Sequence, residues 1–197
     1  MGKKEKGQSS EELEESKRAF SILTIGHSTR SLEGFINLLE THGVRTIIDV
    51  RTVPRSRHNP QFNLDTLPDI LSANGIGYEH MSGLGGLRRA RSDSPNMGWH
   101  NSSFRGFADY MQTEEFEKYL EKLIRLSRRK RICLMCAEAV PWRCHRSLIA
   151  DALQVRGLSV GHIMSRGEPQ PHKLTLFARM DGARITYPAQ MESNRPV

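Results

Sequence analysis

The chain has 197 residues, 29 Lys and Arg against 22 Asp and Glu, and 37% hydrophobic residues. That balance excludes a chain disordered throughout, and no apolar run approaches the ~18 residues of a membrane-spanning helix. A single core in a chain this long buries about 70% of the surface exposed on unfolding, so one domain stands without a disulfide or metal staple.

Residues 1–20 form a charged leader whose five basic and five acidic residues cancel. It has no apolar stretch to act as a signal peptide, and it is expected to be disordered. The formal charge of +7 therefore belongs to residues 21–197, and Arg supplies 21 of the 29 basic side chains. Arg offers a planar fork for phosphate or carboxylate, so the composition points to an anionic partner such as nucleic acid or a nucleotide.

SILTIGHS at residues 21–28 predicts a strand, followed by a helix capped by Ser31 with Leu32, Phe35, Leu38 and Leu39 on one face. RTIIDVR at 45–51 predicts a second strand, with a Pro-containing loop and a helix carrying Leu67, Ile70 and Leu71 behind it. A third strand is expected at 76–81. Residues 82–103 carry no periodicity and have the look of a functional or mobile loop. Thr113 then caps a helix with Phe116, Leu120, Leu123 and Ile124 on its buried face. RICLMC at 131–136 is a fourth strand, Leu148, Ile149, Ala152 and Leu153 mark a further helix, and SVGHIM a fifth strand. The alternation predicts an α/β domain over 21–165. It is a three-layer Rossmann-like or flavodoxin-like arrangement, with a mostly parallel sheet of about five strands and helices on both faces. Residues 166–197 form a C-terminal extension that the pattern does not place.

Parallel sheets bind ligands at the carboxyl ends of their strands, and the residues leaving these strands are polar. His27 and Ser28 leave the first, Asp49 and Arg51 the second, and His80 the third; Cys136 leaves the fourth, ahead of Glu138, Arg143, Cys144, His145 and Arg146. Three mechanisms compete for them. A thiolate at Cys136 ahead of a helix N-terminus is a nucleophile arrangement, opposed by Glu138 two residues on. Cys136, Cys144 and His145, with His27 as an optional fourth, are alternatively zinc ligands, though no CxxC or HxxxH pair is present. Asp49 and Glu138 as paired carboxylates suit hydrolysis, including N-glycosidic cleavage, with His27 carrying a proton. In that third reading Ser28, Arg51, Arg55, Arg105, Arg143, His145 and Arg146 hold the anion, and Trp99, Trp142, Phe104 and Tyr110 offer a stacking platform. Cys133, inside the fourth strand, is expected to be a small buried hydrophobe.

The segments IGHSTRS, IIDVRTVPRSRHNPQF, GLGGLRR, FRGFADYM and CAEAVPWRCHRSLIAD, in this order, resemble the domain-of-unknown-function 488 family over about residues 22–163. Its pattern falls on His27, Ser28, Asp49, Arg51, Pro54, Ser56, Pro60, Phe62, Gly85, Gly86, Phe104, Arg105, Tyr110, Cys136, Glu138, Cys144, His145 and Arg146. The resemblance implies an α/β fold with a shared polar site and no established activity. From the residues, the expectation is a cytoplasmic enzyme, leaning to a hydrolase, acting on nucleic acid or a nucleotide-like anion. Its catalytic groups are His27, Asp49, Glu138 and Cys136, with no cofactor beyond an optional zinc and no membrane. A cysteine-dependent or zinc-assisted enzyme is the first alternative, and a non-catalytic nucleic-acid-binding or regulatory module the second.

Overall fold

The computed structural model of the chain describes residues 20–189, so the expectation for the leader lies, Phe20 apart, outside the described residues. Five parallel strands form the body of one sheet: β1 (Ile22–Gly26), β2 (Thr46–Asp49), β3 (Gly77–His80), β4 (Ile132–Cys136) and β5 (Val160–Ile163). Two-residue β6 (Gln170–Pro171) adds an antiparallel edge, and the spatial order is β3-β2-β4-β1-β5-β6. Each of the five strands expected from the apolar runs is present.

The helices are α1 (Leu32–Thr41), α2 (Leu67–Ala73), α3 (Ser102–Tyr110), α4 (Glu114–Ser127) and α5 (Arg146–Val155). Ser31 caps α1 by accepting from the Gly34 N–H, and Thr113 caps α4 by accepting from the Phe116 N–H. Helix α3 has no counterpart in the sequence reading. It is short and carries Gly106 at mid-length, which blurs its apolar period, and only the Asn101 cap, accepting from the Ser103 and Phe104 N–H groups, marks its start.

Side chains alternate across the strands and build two cores. Leu23, Ile25, Ile47, Cys133 and Met135 pack with Phe35, Leu38 and Leu39 of α1 and Leu67 and Leu71 of α2. On the opposite face Ile22, Ile48, Leu134 and Cys136 pack with α3, α4 and α5. The domain is thus three-layered, helix on sheet on helix. Cys133 is fully buried on the α1 side, as its place in a strand implies.

The residues beyond Ser165 return over α5. Hairpin β7 (Arg179–Asp181) and β8 (Arg184–Thr186) brings Ile185 and Tyr187 into the α5-side core. The Tyr187 hydroxyl donates to Asp151 at 2.8 Å, and His172 meets the other Asp151 oxygen at 2.8 Å. No helix among the described residues is long and apolar enough to cross a membrane.

Strand order decides where a ligand fits. β1 and β4 are neighbours, yet the chain leaves β1 for β2 on one side and leaves β4 for β5 on the other. Their carboxyl ends therefore flank the point where connections diverge, which is where open parallel sheets form a crevice.

Candidate functional site

At this crevice the β1 and β4 exits lie in contact: the His27 N–H donates to the Cys136 carbonyl, and the Ser28 N–H to the Ala137 carbonyl, each at 2.9 Å. A Cβ on Gly26 would sit 1.9 Å from the Glu138 carbonyl, so only glycine lets the two exits close up. A cavity of about 410 Å³ opens above them. Its wall includes His27 from β1, Arg51 and Arg55 from the β2 exit, and Cys136, Cys144 and His145 from the β4 exit.

Two polar assemblies meet at this wall. In the first, Asp49 is fully buried and grips the Arg51 guanidinium, with Nη2 2.6 Å from Oδ2 and Nε 2.9 Å from Oδ1. Tyr78 donates its hydroxyl to Asp49 at 2.7 Å; burial and then the neighbouring carboxylate push that phenol up, so it keeps its proton. Arg51 also donates to the Phe62 carbonyl at 2.7 Å and to His27 Nε2 at 3.2 Å. An arginine only donates, so Nε2 is the acceptor of His27, and Nδ1–H donates to the Ser28 carbonyl at 2.9 Å. Burial above all lowers His27 to about 4, against a smaller pull upward from that carbonyl contact. His27 is a neutral imidazole at pH 7, stacked on Phe62 with both nitrogens engaged.

The second assembly is built on Arg146, the first residue of α5, whose side chain is only 1% exposed. Among the described residues no carboxylate pairs with it. Its Nη2 donates to the Glu138 carbonyl at 2.6 Å, and its Nε and backbone N–H donate to Cys144 Sγ at 3.4 and 3.5 Å. His145 donates Nε2–H to the Val50 carbonyl at 3.1 Å, which turns Nδ1 toward the same sulfur at 3.7 Å. Gly86 lies against that ring: a Cβ there would stand 2.4 Å from Nδ1, which explains a glycine of the GLGG segment.

Cys136 and Cys144 complete this assembly. Both sulfurs and one His145 ring nitrogen lie within 4.8 Å of one another. The Cys144 thiol is held well below the usual thiol range, first by a hydrogen bond from Cys136, with His145 and Arg146 adding to it against burial. Cys136 is correspondingly held up, first by that hydrogen bond to Cys144 and then by burial. Of the two sulfurs, Cys144 is the one that accepts from the Arg146 guanidinium and backbone N–H, so negative charge is favoured there rather than on Cys136. A thiolate on Cys144 balances the buried guanidinium, since a buried cation needs a partner. The start of α5 favours the same charge.

The sequence-selected residues divide accordingly. His27, Arg51, Arg55, Cys136, Glu138, Arg143 and His145 all reach the cavity wall, joined by Cys144. Asp49 does not: its carboxylate lies behind Arg51, occupied by Arg51 and Tyr78. Arg146 lies beneath Cys144 rather than beside a bound anion. Ser28, in a left-handed conformation with φ 48°, is not among the cavity-lining residues, and Arg105 donates to the Trp99 carbonyl at 3.3 Å. Of the aromatic residues, Phe104 lines this cavity, Tyr110 is buried beneath Arg88, and Trp99 packs on Phe177 and Tyr187. Trp142, 62% exposed, lines a separate cavity of about 660 Å³. Thr52, Val53, Leu87, Ser103 and Ala137 are cavity residues that the sequence reading did not single out.

Cys136, Cys144 and His145 are also the one group of His, Cys, Asp or Glu side chains among the described residues whose spacing could hold a metal ion. The set supplies three donors, and its central sulfur already accepts from a guanidinium, where a structural zinc site supplies four donors. The donors themselves are of the type zinc takes.

Fold and site together define a three-layer α/β protein with a buried thiol pair and an arginine-bearing cavity at its topological switch point. The family described as Domain of unknown function DUF488 matches residues 31–153, and the chain belongs to it. No curated protein and no solved structure matches the chain.

Proposed function

We propose that the protein is a thiol-dependent enzyme in which Cys144 is the nucleophile and the cavity above it takes a small organic anion. The observation that carries this reading is the fully buried Arg146, whose Nε and backbone N–H both face Cys144 Sγ with no carboxylate among the described residues to neutralise it. In this arrangement Cys136 holds the proton, His145 orients against the sulfur, and Arg55 and Arg143, both exposed and without an ion pair among the described residues, receive the negative charge of the substrate. Arg51, with its charge already met by Asp49, shapes the wall and presents a fixed edge.

Hydrolysis by paired carboxylates has less support, because Asp49 is enclosed and Glu138 is the only carboxylate on the wall among the described residues. The nucleotide-like anion expected from composition remains compatible with the charge of the cavity. What changes is the reacting group, from a carboxylate pair to a sulfur.

The test is alkylation by iodoacetamide at pH 6, followed by peptide mapping. Cys144 is expected to react at least about tenfold faster than an ordinary thiol of pKa ~8.5, with Cys133 untouched. Cys144→Ser should remove that fast phase. A Cys144 that stays unmodified in the folded protein would refute the assignment. Stoichiometric zinc in the purified protein would instead move the three donors into ligand roles.

A further inference from the structure

The geometry points to thiol–disulfide exchange as the chemistry of this site, with an anionic low-molecular-weight disulfide as its substrate and Cys136 as the second, resolving thiol. This rests on the reading of Cys144 as nucleophile and extends it to a partner and a substrate class. Three observations converge. Cys136 and Cys144 come from the two ends of the β4 exit loop, eight positions apart, yet their sulfurs lie within 4.8 Å of each other and both line one cavity. The third cysteine, Cys133, faces the other side of the sheet in the α1-side core, so it cannot compete for either sulfur. The cavity, at about 410 Å³, is far larger than a peroxide requires, and Arg55 and Arg143 on its wall suit a molecule carrying carboxylates.

The exchange balances without any further reagent. The Cys144 thiolate attacks one sulfur of the substrate disulfide, forming a mixed disulfide and expelling the other half as a thiolate. That thiolate takes the proton of Cys136. Cys136, now a thiolate, attacks Cys144 Sγ, forms the Cys136–Cys144 disulfide and expels the second half. Two electrons pass from the protein sulfurs to the substrate, which leaves as one thiol and one thiolate. The short spacing of the sulfurs allows the second attack within the folded domain.

The experiment incubates the full-length protein with oxidised glutathione at pH 7, quenches with acid, and maps the peptides without reduction. The expected product is a peptide pair joined through Cys136 and Cys144, with Cys133 free. Cys136→Ser should accumulate Cys144 carrying one glutathione unit, resolved at least about tenfold more slowly than in the parent chain. Wild-type mapping does not depend on any variant folding, so it decides the question alone if Cys136→Ser is unstable. Rapid alkylation of Cys144 with neither adduct nor cross-link overturns the exchange and leaves the nucleophile standing; failure of both overturns the two readings together. Oxidation by hydrogen peroxide but not by oxidised glutathione overturns the substrate class.

Discussion

The two polar assemblies at the cavity wall use the same kind of residue to opposite ends. Around Asp49, every charge has its counter-charge: Arg51 meets a carboxylate, Tyr78 donates to it, and His27 is neutral with both nitrogens engaged. Around Arg146, a fully buried cation meets a carbonyl and a cysteine sulfur, and among the described residues no carboxylate balances it. The first assembly is complete as it stands. The second is complete only when a sulfur gives up a proton. A buried arginine thus rigidifies in one place and activates in the other, and its partner decides which.

The largest expected effect tests the closed assembly. Asp49→Asn leaves the Arg51 guanidinium buried without its counter-charge and should cost about 3–5 kcal/mol, read by urea denaturation. A loss below about 1 kcal/mol would mean that Arg51 reaches solvent and that the assembly is not closed. Acid should weaken the same region. His27 has a folded pKa of about 4, below the ~6.5 of an unfolded histidine, so the unfolded chain binds more protons between those values. Stability is therefore full above about pH 6.5 and is lost as pH falls toward 4, by about 2 kcal/mol between pH 7 and pH 4.5. His162, which burial lowers to about 3, acts in the same direction. Thermal melts across that range check the sign, and His27→Asn should flatten part of the slope.

The open assembly predicts a different signature. Arg146→Met keeps the volume and removes the cation, so the Cys144 thiolate loses its balance and alkylation at pH 6 should slow by about tenfold, roughly 1.4 kcal/mol in the proton equilibrium. Stability should fall less than in Asp49→Asn, because Cys144 can take up a proton and no buried charge stays unpaired. Equal losses in the two variants would erase the distinction between the assemblies. The smallest effect is expected at Glu138, whose side chain is exposed and whose carbonyl alone contacts Arg146. Glu138→Gln should shift stability by less than about 0.5 kcal/mol and leave Cys144 alkylation nearly unchanged. A large change there would return the carboxylate to the chemistry.

Much of this protein can be read from its residues in order. Apolar runs such as ILTIG and ICLMC can bury both faces only between helices, and the caps Ser31 and Thr113 mark where two of those helices begin. The polar exits were legible for the same reason, since a parallel sheet sends all of its strand ends to one rim. Helix α3 was not, because a nine-residue segment around Gly106 has too little period to register, and its place is set by packing against the Arg88–Ala90 backbone.

Sequence alone therefore determined the layers, the rim and the residue types gathered there. Tertiary structure decided their roles. The order β2-β4-β1 places the β1 and β4 exits side by side, encloses Asp49 behind Arg51, and sets Arg146 beneath Cys144. Spacing along the chain carries no record of which cation ends up against which sulfur, because burial and charge balance are properties of neighbours in space. Hence the sequence singled out Cys136, the cysteine leaving a strand, as the candidate thiol, and the fold set the Arg146 donors against Cys144 instead.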